Sequence, residues 1–240
     1  METELKPVLH QYQVSPFAAK VRRCLHYKGV AFDVRNYGLS GVGKVRKLSA
    51  AGKAPVLEHR SAMIPDSSDI IRHIEAHFPD KPVFPTRPED RALAHIFEDW
   101  ADESLYYYDL TMRSWPGNAE WLTNDLVLED SGPLKRLFHY LAPTIIRKQA
   151  SNQGIGRKPR EVVCSDAAQH FDSINTLVSS KDWLVGDSLT VADISVVSMC
   201  TVLDRAVEAR ELMDTLPALR DWQQRVDAAT LPAGGDKALV

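Results

Sequence analysis

Three short segments of this 240-residue chain carry groups that could hold a small molecule with an anionic thiol. They are Ser15-Pro16-Phe17, Lys53-Ala54-Pro55-Val56 and Asp66-Ser67. The first offers a hydroxyl at a predicted helix start, and the second offers backbone groups beside a proline and a cation. The third offers an acid and a hydroxyl at another helix start. Together they predict a site for a thiol that also bears carboxylate and ammonium groups.

Ser15 is the candidate that would act on the thiol itself. A hydroxyl at a helix N-terminus lies beside amides that lack intrahelical partners, at the positive end of the helix dipole. A hydrogen bond from the hydroxyl and the field of the dipole would both favour the thiolate, because a free thiol has a pKa of about 8.5. The alternative is that Ser15 only caps the helix.

The other two segments each allow a binding role and a purely structural one. If the Ala54–Pro55 bond is cis, the backbone of Ala54 could pair with an extended peptide and Lys53 would reach a carboxylate. Otherwise the segment is an edge strand that starts with proline. Asp66 can accept from an α-ammonium while Ser67 donates to an α-carboxylate, or both can simply start a helix.

The spacing of apolar residues predicts the elements that position these groups. A strand, a helix and a second strand come first and predict a parallel strand pair; a loop, two short strands and a helix follow. In chain order the predicted ranges are 5–12, 15–29, 30–34, 38–54, 55–58, 62–64 and 66–78.

Prolines at 79, 82, 85 and 88 mark a linker, and beyond residue 86 the pattern is helical without a strong strand signal. We therefore expect an α/β thioredoxin-like N-terminal domain over residues 1–82 and an all-α helical C-terminal domain over residues 86–240. Its helices are predicted near 87–115, 119–128, 133–150, 159–179, 191–206 and 217–229. Thr190 and Asp193 have the spacing of a capping box, which we interpret as structural.

The composition indicates which kinds of partner and which cellular compartment to expect. A hydrophobic fraction of 44% and a charged fraction of 25% are typical of a globular domain, and a net charge of -3 argues against nucleic acid or membrane as a partner. No stretch approaches the roughly 20 apolar residues that span a bilayer, and the acidic N-terminus lacks a signal-peptide pattern. The three cysteines form no Cys-x-x-Cys pair, which suits a reducing, cytoplasmic location.

The three segments, with Val56-Leu57 continuing the second, resemble the pattern of the cytosolic glutathione transferases, especially serine-type classes with a tau-, zeta- or omega-like motif. The resemblance covers the chain in outline. It implies that Ser15 activates the glutathione thiol, that Ala54 pairs with the cysteinyl backbone and that Lys53 touches the glycyl carboxylate. The implied glutathione-binding residues are Phe17, Lys53, Ala54, Pro55, Asp66 and Ser67. Asp66 stands where many members have glutamate.

The resemblance implies a homodimeric enzyme that uses glutathione as co-substrate and no metal, and whose thiolate attacks a small hydrophobic electrophile. Tyr107, Tyr108 and Arg113 are candidates for the electrophile pocket; the alternatives are aromatic packing in the core and an exposed salt bridge. Peroxide reduction or isomerisation at the same site is an alternative activity. A non-catalytic interaction protein with this fold is an alternative of another class.

His73 and His77 stand four residues apart on a predicted helix, a spacing that permits a metal pair. No third ligand is evident near them in the sequence. We therefore expect these two side chains to be surface histidines and the protein to bind no metal.

Overall fold

The computed structural model describes residues 6–126 and 128–232. Its first part is built on a four-stranded sheet with the order β2-β1-β3-β4. Strand β1 pairs in parallel with β2 and antiparallel with β3, and β3 pairs antiparallel with β4. The strands are β1 (Val8–Gln11), β2 (Asp33–Asn36), β3 (Val56–His59) and β4 (Ala62–Pro65). The predicted parallel pair is confirmed.

Strand β2 begins three residues later than the sequence predicts. The preceding helix, α1 (Pro16–Tyr27), ends in a turn in which the amides of Gly29 and Val30 bond carbonyls of the helix. Gly29 has a φ of 70°, a conformation that glycine adopts without a Cβ clash. Phe32 then packs edge-on against His26, with ring centroids 5.1 Å apart. The apolar residues at the predicted strand start therefore belong to the helix end.

The remaining regular elements of the described chain are helices. In the first part, α1 is followed by a short 3-10 turn (Leu39–Gly41), α2 (Val42–Val45) and α3 (Ser67–His77). In the second part the helices are α4 (Pro88–Trp100), α5 (Tyr106–Met112), α6 (Ala119–Leu126), α7 (Gly132–Gln153), α8 (Arg160–Val178), α9 (Val191–Leu203), α10 (Val207–Asp214) and α11 (Pro217–Thr230). A thioredoxin-like sheet unit followed by helices confirms the predicted fold class.

Two features of the helical part depart from the sequence prediction. The helix predicted over 87–115 contains a π-helical turn, Ala101–Leu105, between α4 and α5. The predicted helices also omit α10 (Val207–Asp214), which is only 8 residues long. Of the described helices, none is long and apolar enough to cross a bilayer.

The capping box at the start of α9 is confirmed. Thr190 accepts from the amide of Ala192, and the buried carboxylate of Asp193 accepts from the backbone and hydroxyl of Thr190. Asp193 also accepts from the amide of Leu184 at 2.8 Å and from the indole of Trp222 at 2.9 Å. One carboxylate therefore joins a loop, α9 and α11.

The sheet unit and the helices share one hydrophobic core, and α1 lies against α9 and α11. Arg23 on α1 is 1% exposed and crosses this contact. Its guanidinium donates to the hydroxyls of Thr230 at 2.8 Å and Thr201 at 3.2 Å and pairs with Asp227 at 2.7 Å. The contact between the two parts is therefore specified by charge and hydrogen bonds as well as by apolar packing.

Candidate functional site

A cleft of about 460 Å³ lies between the sheet unit and the helices. The start of α1 and the loop before β3 form most of one wall, the π-helical turn and α5 form the second, and α7 forms the third. Its lining from the sheet unit includes Tyr12, Val14, Ser15, Pro16, Phe17, Leu39, Gly52, Lys53 and Ala54. Its lining from the helices includes Asp102, Glu103, Tyr106, Tyr107, Leu110, Arg113, Ala142, Ile145, Ile146 and Gln149. The first wall combines the polar side chains of Ser15 and Lys53 with apolar residues. The second combines two tyrosines with charged side chains, and the third is mainly apolar.

Ser15 caps α1 and lines the cleft at the same time. Its backbone is extended, Pro16 occupies the first helical position, and its Oγ accepts from the amide of Ala18 at 3.4 Å. This bond uses Oγ only as an acceptor, so the hydroxyl proton can still be donated to a ligand. The two interpretations of Ser15 are therefore compatible in one geometry.

Lys53 and Ala54 lie beside Ser15 on the wall of the cleft, and the Ala54–Pro55 peptide bond is cis. The antiparallel pairing of β3 with β1 begins only at Val56, so Ala54 lies outside the sheet ladder. Lys53 is exposed, which lets its ammonium meet a carboxylate at the mouth of the cleft.

Asp66 and Ser67 start α3 as predicted, although neither lines the cleft. The Asp66 carboxylate is the N-cap: it accepts from the amide of Ser68 at 2.9 Å and from that of Asp69 at 3.4 Å. Asp66 has a φ of 69°, and Ser67 is 4% exposed. The structure therefore places this pair at a helix N-terminus and leaves a ligand-binding role for it as a prediction.

A buried ammonium connects the start of α3 with the cleft. Lys20 is fully buried and donates to Ser68 at 3.1 Å, to Glu98 at 2.7 Å and to Asp102 at 2.7 Å. Burial raises the pKa of Asp102 to about 6, and the negative charges of Glu98 and Asp66 add to this, although Lys20 opposes it. Two acids thus share one cation beside the cleft, an arrangement that favours a cationic ligand group nearby.

The aromatic wall differs from the sequence prediction at one residue. Tyr106 and Tyr107 line the cleft, whereas Tyr108 is 6% exposed on the other side of α5. The Tyr108 hydroxyl donates to Asp166 at 3.3 Å, and its ring packs against His170. The assignment of Tyr108 to the pocket wall is corrected, because residues two apart on a helix point about 200° from each other.

Tyr106, and not Tyr108, lines the cleft together with Tyr107. Its ring lies 4.8 Å from that of Phe17, and its hydroxyl accepts from Gln149 at 3.4 Å, so it touches both other walls. Burial raises the pKa of Tyr106, which keeps the phenol protonated. Tyr106 lies seven residues before Arg113, and this helical spacing could have identified it from the sequence.

Arg113 lines the cleft. It does form a salt bridge, but the bridge is buried and not exposed as the alternative interpretation expects. Arg113 is 4% exposed and forms an ion pair with Asp109 one turn earlier, which is also buried. Burial raises the pKa of Asp109 to about 6, against the opposing charge of Arg113. Arg113 therefore adds a partly neutralised positive charge to the inner end of the cleft.

The third wall was not predicted. It is the face of α7 that presents Ala142, Ile145, Ile146 and Gln149, residues within a stretch whose sequence gave no pocket assignment. Nearby, Asp130 accepts from the amides of Leu39 and Ser40, each at 2.9 Å, and thereby ties the chain before α7 to the sheet unit. The apolar spacing of α7 predicts a helix but not which partner its face meets.

Family models described as the N-terminal and C-terminal domains of glutathione S-transferase match residues 9–82 and 138–230. The isoprene-epoxide–glutathione S-transferase of Rhodococcus sp. (strain AD45) is 24% identical over 220 residues, which is 89% of this chain and 91% of that protein. FtsZ-localized protein A of Caulobacter vibrioides is 26% identical over 203 residues, 82% of this chain and 76% of that protein.

Solved structures show the same fold. The crystal structure of the beta-etherase LigF from Sphingobium sp. strain SYK-6 superposes with a TM-score of 0.69. It covers 93% of this chain and 96% of that one at 20% sequence identity. The structural similarity extends over both the sheet unit and the helices.

Proposed function

Since the chain belongs to the glutathione S-transferase family, we propose that it binds glutathione at the Ser15 end of the cleft and transfers it to a small hydrophobic electrophile, an epoxide in particular. The observation that carries this proposal is the Ser15 hydroxyl, which lies at the N-terminus of α1 and inside the cleft. The second wall carries the partly buried phenol of Tyr106.

Glutathione binding in this proposal uses the wall formed by the sheet unit. Lys53 takes the glycyl carboxylate and the backbone of Ala54, outside the ladder, pairs with the cysteinyl unit. Asp66 and Ser67 hold the γ-glutamyl end, beside the acid-rich cluster around Lys20. The thiol then lies at Ser15, where the hydroxyl and the helix dipole favour its thiolate.

The choice of an epoxide rests on Tyr106 and on similarity to an isoprene-epoxide transferase. When a thiolate attacks an epoxide carbon, a carbon–sulfur bond forms, the ring carbon–oxygen bond breaks and the oxygen is left as an alkoxide that needs a proton. Tyr106 stays protonated and lines the apolar part of the cleft, so it is suited to donate that proton. A chloroarene instead releases chloride and needs no proton.

Replacing Tyr106 with phenylalanine should therefore separate two substrates. We expect kcat for an alkyl epoxide to fall about 100-fold, within the usual range for loss of a general acid. Conjugation of an activated chloroarene should change by less than about threefold, because the ring still packs on Phe17. Steady-state kinetics with both substrates measures this, and Tyr107→Phe is the matched control on the same wall.

Equal loss with both substrates would show that Tyr106 shapes the cleft and donates no proton. No loss with either would remove Tyr106 from the mechanism. If the parent protein conjugates no epoxide but does conjugate the chloroarene, the transferase proposal stands and the epoxide is wrong.

A second candidate function is supported by the similarity to FtsZ-localized protein A, whose name refers to association with another protein. In that case the cleft would be retained without turnover. The same assays decide between the two: no conjugation of either substrate by the parent protein would favour an interaction protein. Conjugation at a rate that depends on Ser15 would favour the enzyme.

We further propose that the protein is a homodimer that uses an exposed apolar stripe on α4. Leu93 is 48% exposed and Ile96 62% exposed, one helical turn apart, and burying both would be favourable. Light scattering should give twice the 26.9 kDa mass of one chain. The double variant Leu93→Glu/Ile96→Glu should give the mass of one chain, and Leu177→Glu on α8 should stay dimeric. A parent protein with the mass of one chain would contradict the proposal.

A further inference from the structure

Three histidines meet where strand β3 ends against helix α3. His59 closes β3 and is 1% exposed, while His73 and His77 lie one turn apart on α3. The Nδ1 of His59 is 2.8 Å from the Nε2 of His73, and the ring centroids of His73 and His77 are 4.0 Å apart. One nitrogen from each ring falls within 4.8 Å of the others. The expectation that His73 and His77 lack a third ligand is wrong, because β3 places His59 beside them.

We propose that His59, His73 and His77 form a binding site for a divalent transition-metal ion, best matched by Zn²⁺. Zinc binds imidazole nitrogen at about 2.0–2.1 Å, so two nitrogens on a tetrahedral ion stand about 3.3 Å apart. The separation of 2.8 Å between His59 and His73 needs an opening of only about half an ångström. Three nitrogen ligands leave one coordination position for water.

The hydrogen bonding of His77 supports this role. Its Nδ1 lies 2.9 Å from the carbonyl oxygen of His73, and since a carbonyl can only accept, Nδ1 carries the proton. This leaves Nε2 as the basic nitrogen. A ring N–H donated to a backbone carbonyl is the arrangement that orients metal-binding histidines in proteins.

The ligand chemistry of the three rings favours a transition metal. Imidazole ligands suit zinc, copper and nickel, whereas magnesium and calcium prefer oxygen ligands. The positive charge of Arg60 lowers the affinity of the site for every divalent cation.

The site is remote from the cleft. Strand β3 runs from Val56, next to the cleft wall, to His59, and α3 runs from Ser67 to His77. At 1.5 Å per residue, His77 lies about 15 Å along the helix from its start. None of the three histidines lines the cleft. Bound zinc would therefore join β3 to α3 and stabilise the sheet unit, with no effect on conjugation.

Calorimetric titration of the chelator-treated protein with Zn²⁺ tests the proposal. The half-buried thiol of Cys164 is first removed with Cys164→Ser, because thiolates also bind zinc. We expect one ion per chain. Since loss of an outer-sphere partner alone costs 10–100-fold in affinity, replacing a ligand should cost at least about 100-fold. His77→Gln, at an exposed position, and His73→Gln should show this loss, while His139→Gln on α7 should bind as the parent does.

A second measurement distinguishes loss of the metal site from misfolding of a variant. Excess Zn²⁺ should raise the Tm of the parent and of His139→Gln, and should leave that of His73→Gln unchanged, because only binding to the folded state shifts the transition. The proposal is overturned if the parent binds no zinc, or if the His73 and His77 variants bind as tightly as the parent. Parental affinity in a folded His59→Gln variant would also overturn it, by reducing the site to a pair on one helix.

Discussion

Replacing Ser15 with alanine should lower kcat/KM for conjugation of an activated chloroarene by about 10- to 100-fold near neutral pH. The lost interaction is a hydrogen bond to a developing or formed thiolate, and such bonds to charged groups contribute about 1.5–3 kcal/mol. Glutathione affinity should change little, because in the proposed binding mode Lys53 and the backbone of Ala54, on the same wall as Ser15, also hold the peptide.

The loss should depend on pH in a defined direction. A hydroxyl that stabilises the thiolate lowers the thiol pKa below its free value of about 8.5, so the parent reaches full activity at lower pH. In the Ser15→Ala variant the pKa should rise by about one unit for each 1.4 kcal/mol lost, and the defect should shrink as pH rises. Thiolate absorbance in the ultraviolet, recorded on the glutathione complex across pH, measures the shift.

Ser15→Thr is the matched control, because threonine keeps both the hydroxyl and the ability to cap α1. It should retain most of the activity and the lowered thiol pKa. Parental conjugation rates in Ser15→Ala at every pH would mean that the hydroxyl only caps the helix. Loss of activity in both variants would mean that the shape of the helix start matters more than the hydroxyl proton.

The largest effect on stability is expected at Asp193. Its carboxylate is fully buried and accepts from the amides of Leu184 and Thr190, the Thr190 hydroxyl and the Trp222 indole. Asp193→Ala would leave these donors buried without an acceptor, and each such donor costs about 1–3 kcal/mol. Because the site can relax and admit water, we expect a net loss of about 3–5 kcal/mol, at the upper end for single substitutions.

Urea denaturation at a fixed protein concentration measures this loss through the transition midpoint. Asp187→Ala is the control: it removes an exposed acid from the same loop and should shift stability by less than about 0.5 kcal/mol. If Asp193→Ala unfolds at the same urea concentration as the parent, the carboxylate does not stabilise the junction of α9 and α11. Chloroarene conjugation below the transition should remain, since Asp193 does not line the cleft.

The parts of the site that obey local rules could be predicted from the sequence. Ser15 and Asp66 start helices, which short-range capping preferences indicate without any knowledge of the fold. The strand–helix–strand unit and the capping box of α9 follow from apolar spacing and from Thr190 and Asp193 in the same way.

The remainder depends on contacts between segments that are distant in sequence. Helical spacing relates Tyr106 to Arg113, but whether their shared face meets the cleft depends on the rotation of a helix that follows a π-helical turn, and no local pattern marks that turn. The burial of Arg113 and the third wall on α7 require the packing of helices to be known. His59 joins His73 only because β3 ends beside α3.

The guanidinium of Arg23 limits how this architecture can be recombined. It lies on α1, yet its partners Thr201, Asp227 and Thr230 belong to α9 and α11, far beyond the proline-rich linker. In a chimera that joins the sheet unit of a relative at that linker, the first helix would come from the relative. Unless that helix also carries an arginine at this position, the three polar groups would be buried without their cationic partner. Compatibility between exchanged halves is therefore decided at this buried junction, and the residues on its two sides have to be transplanted together.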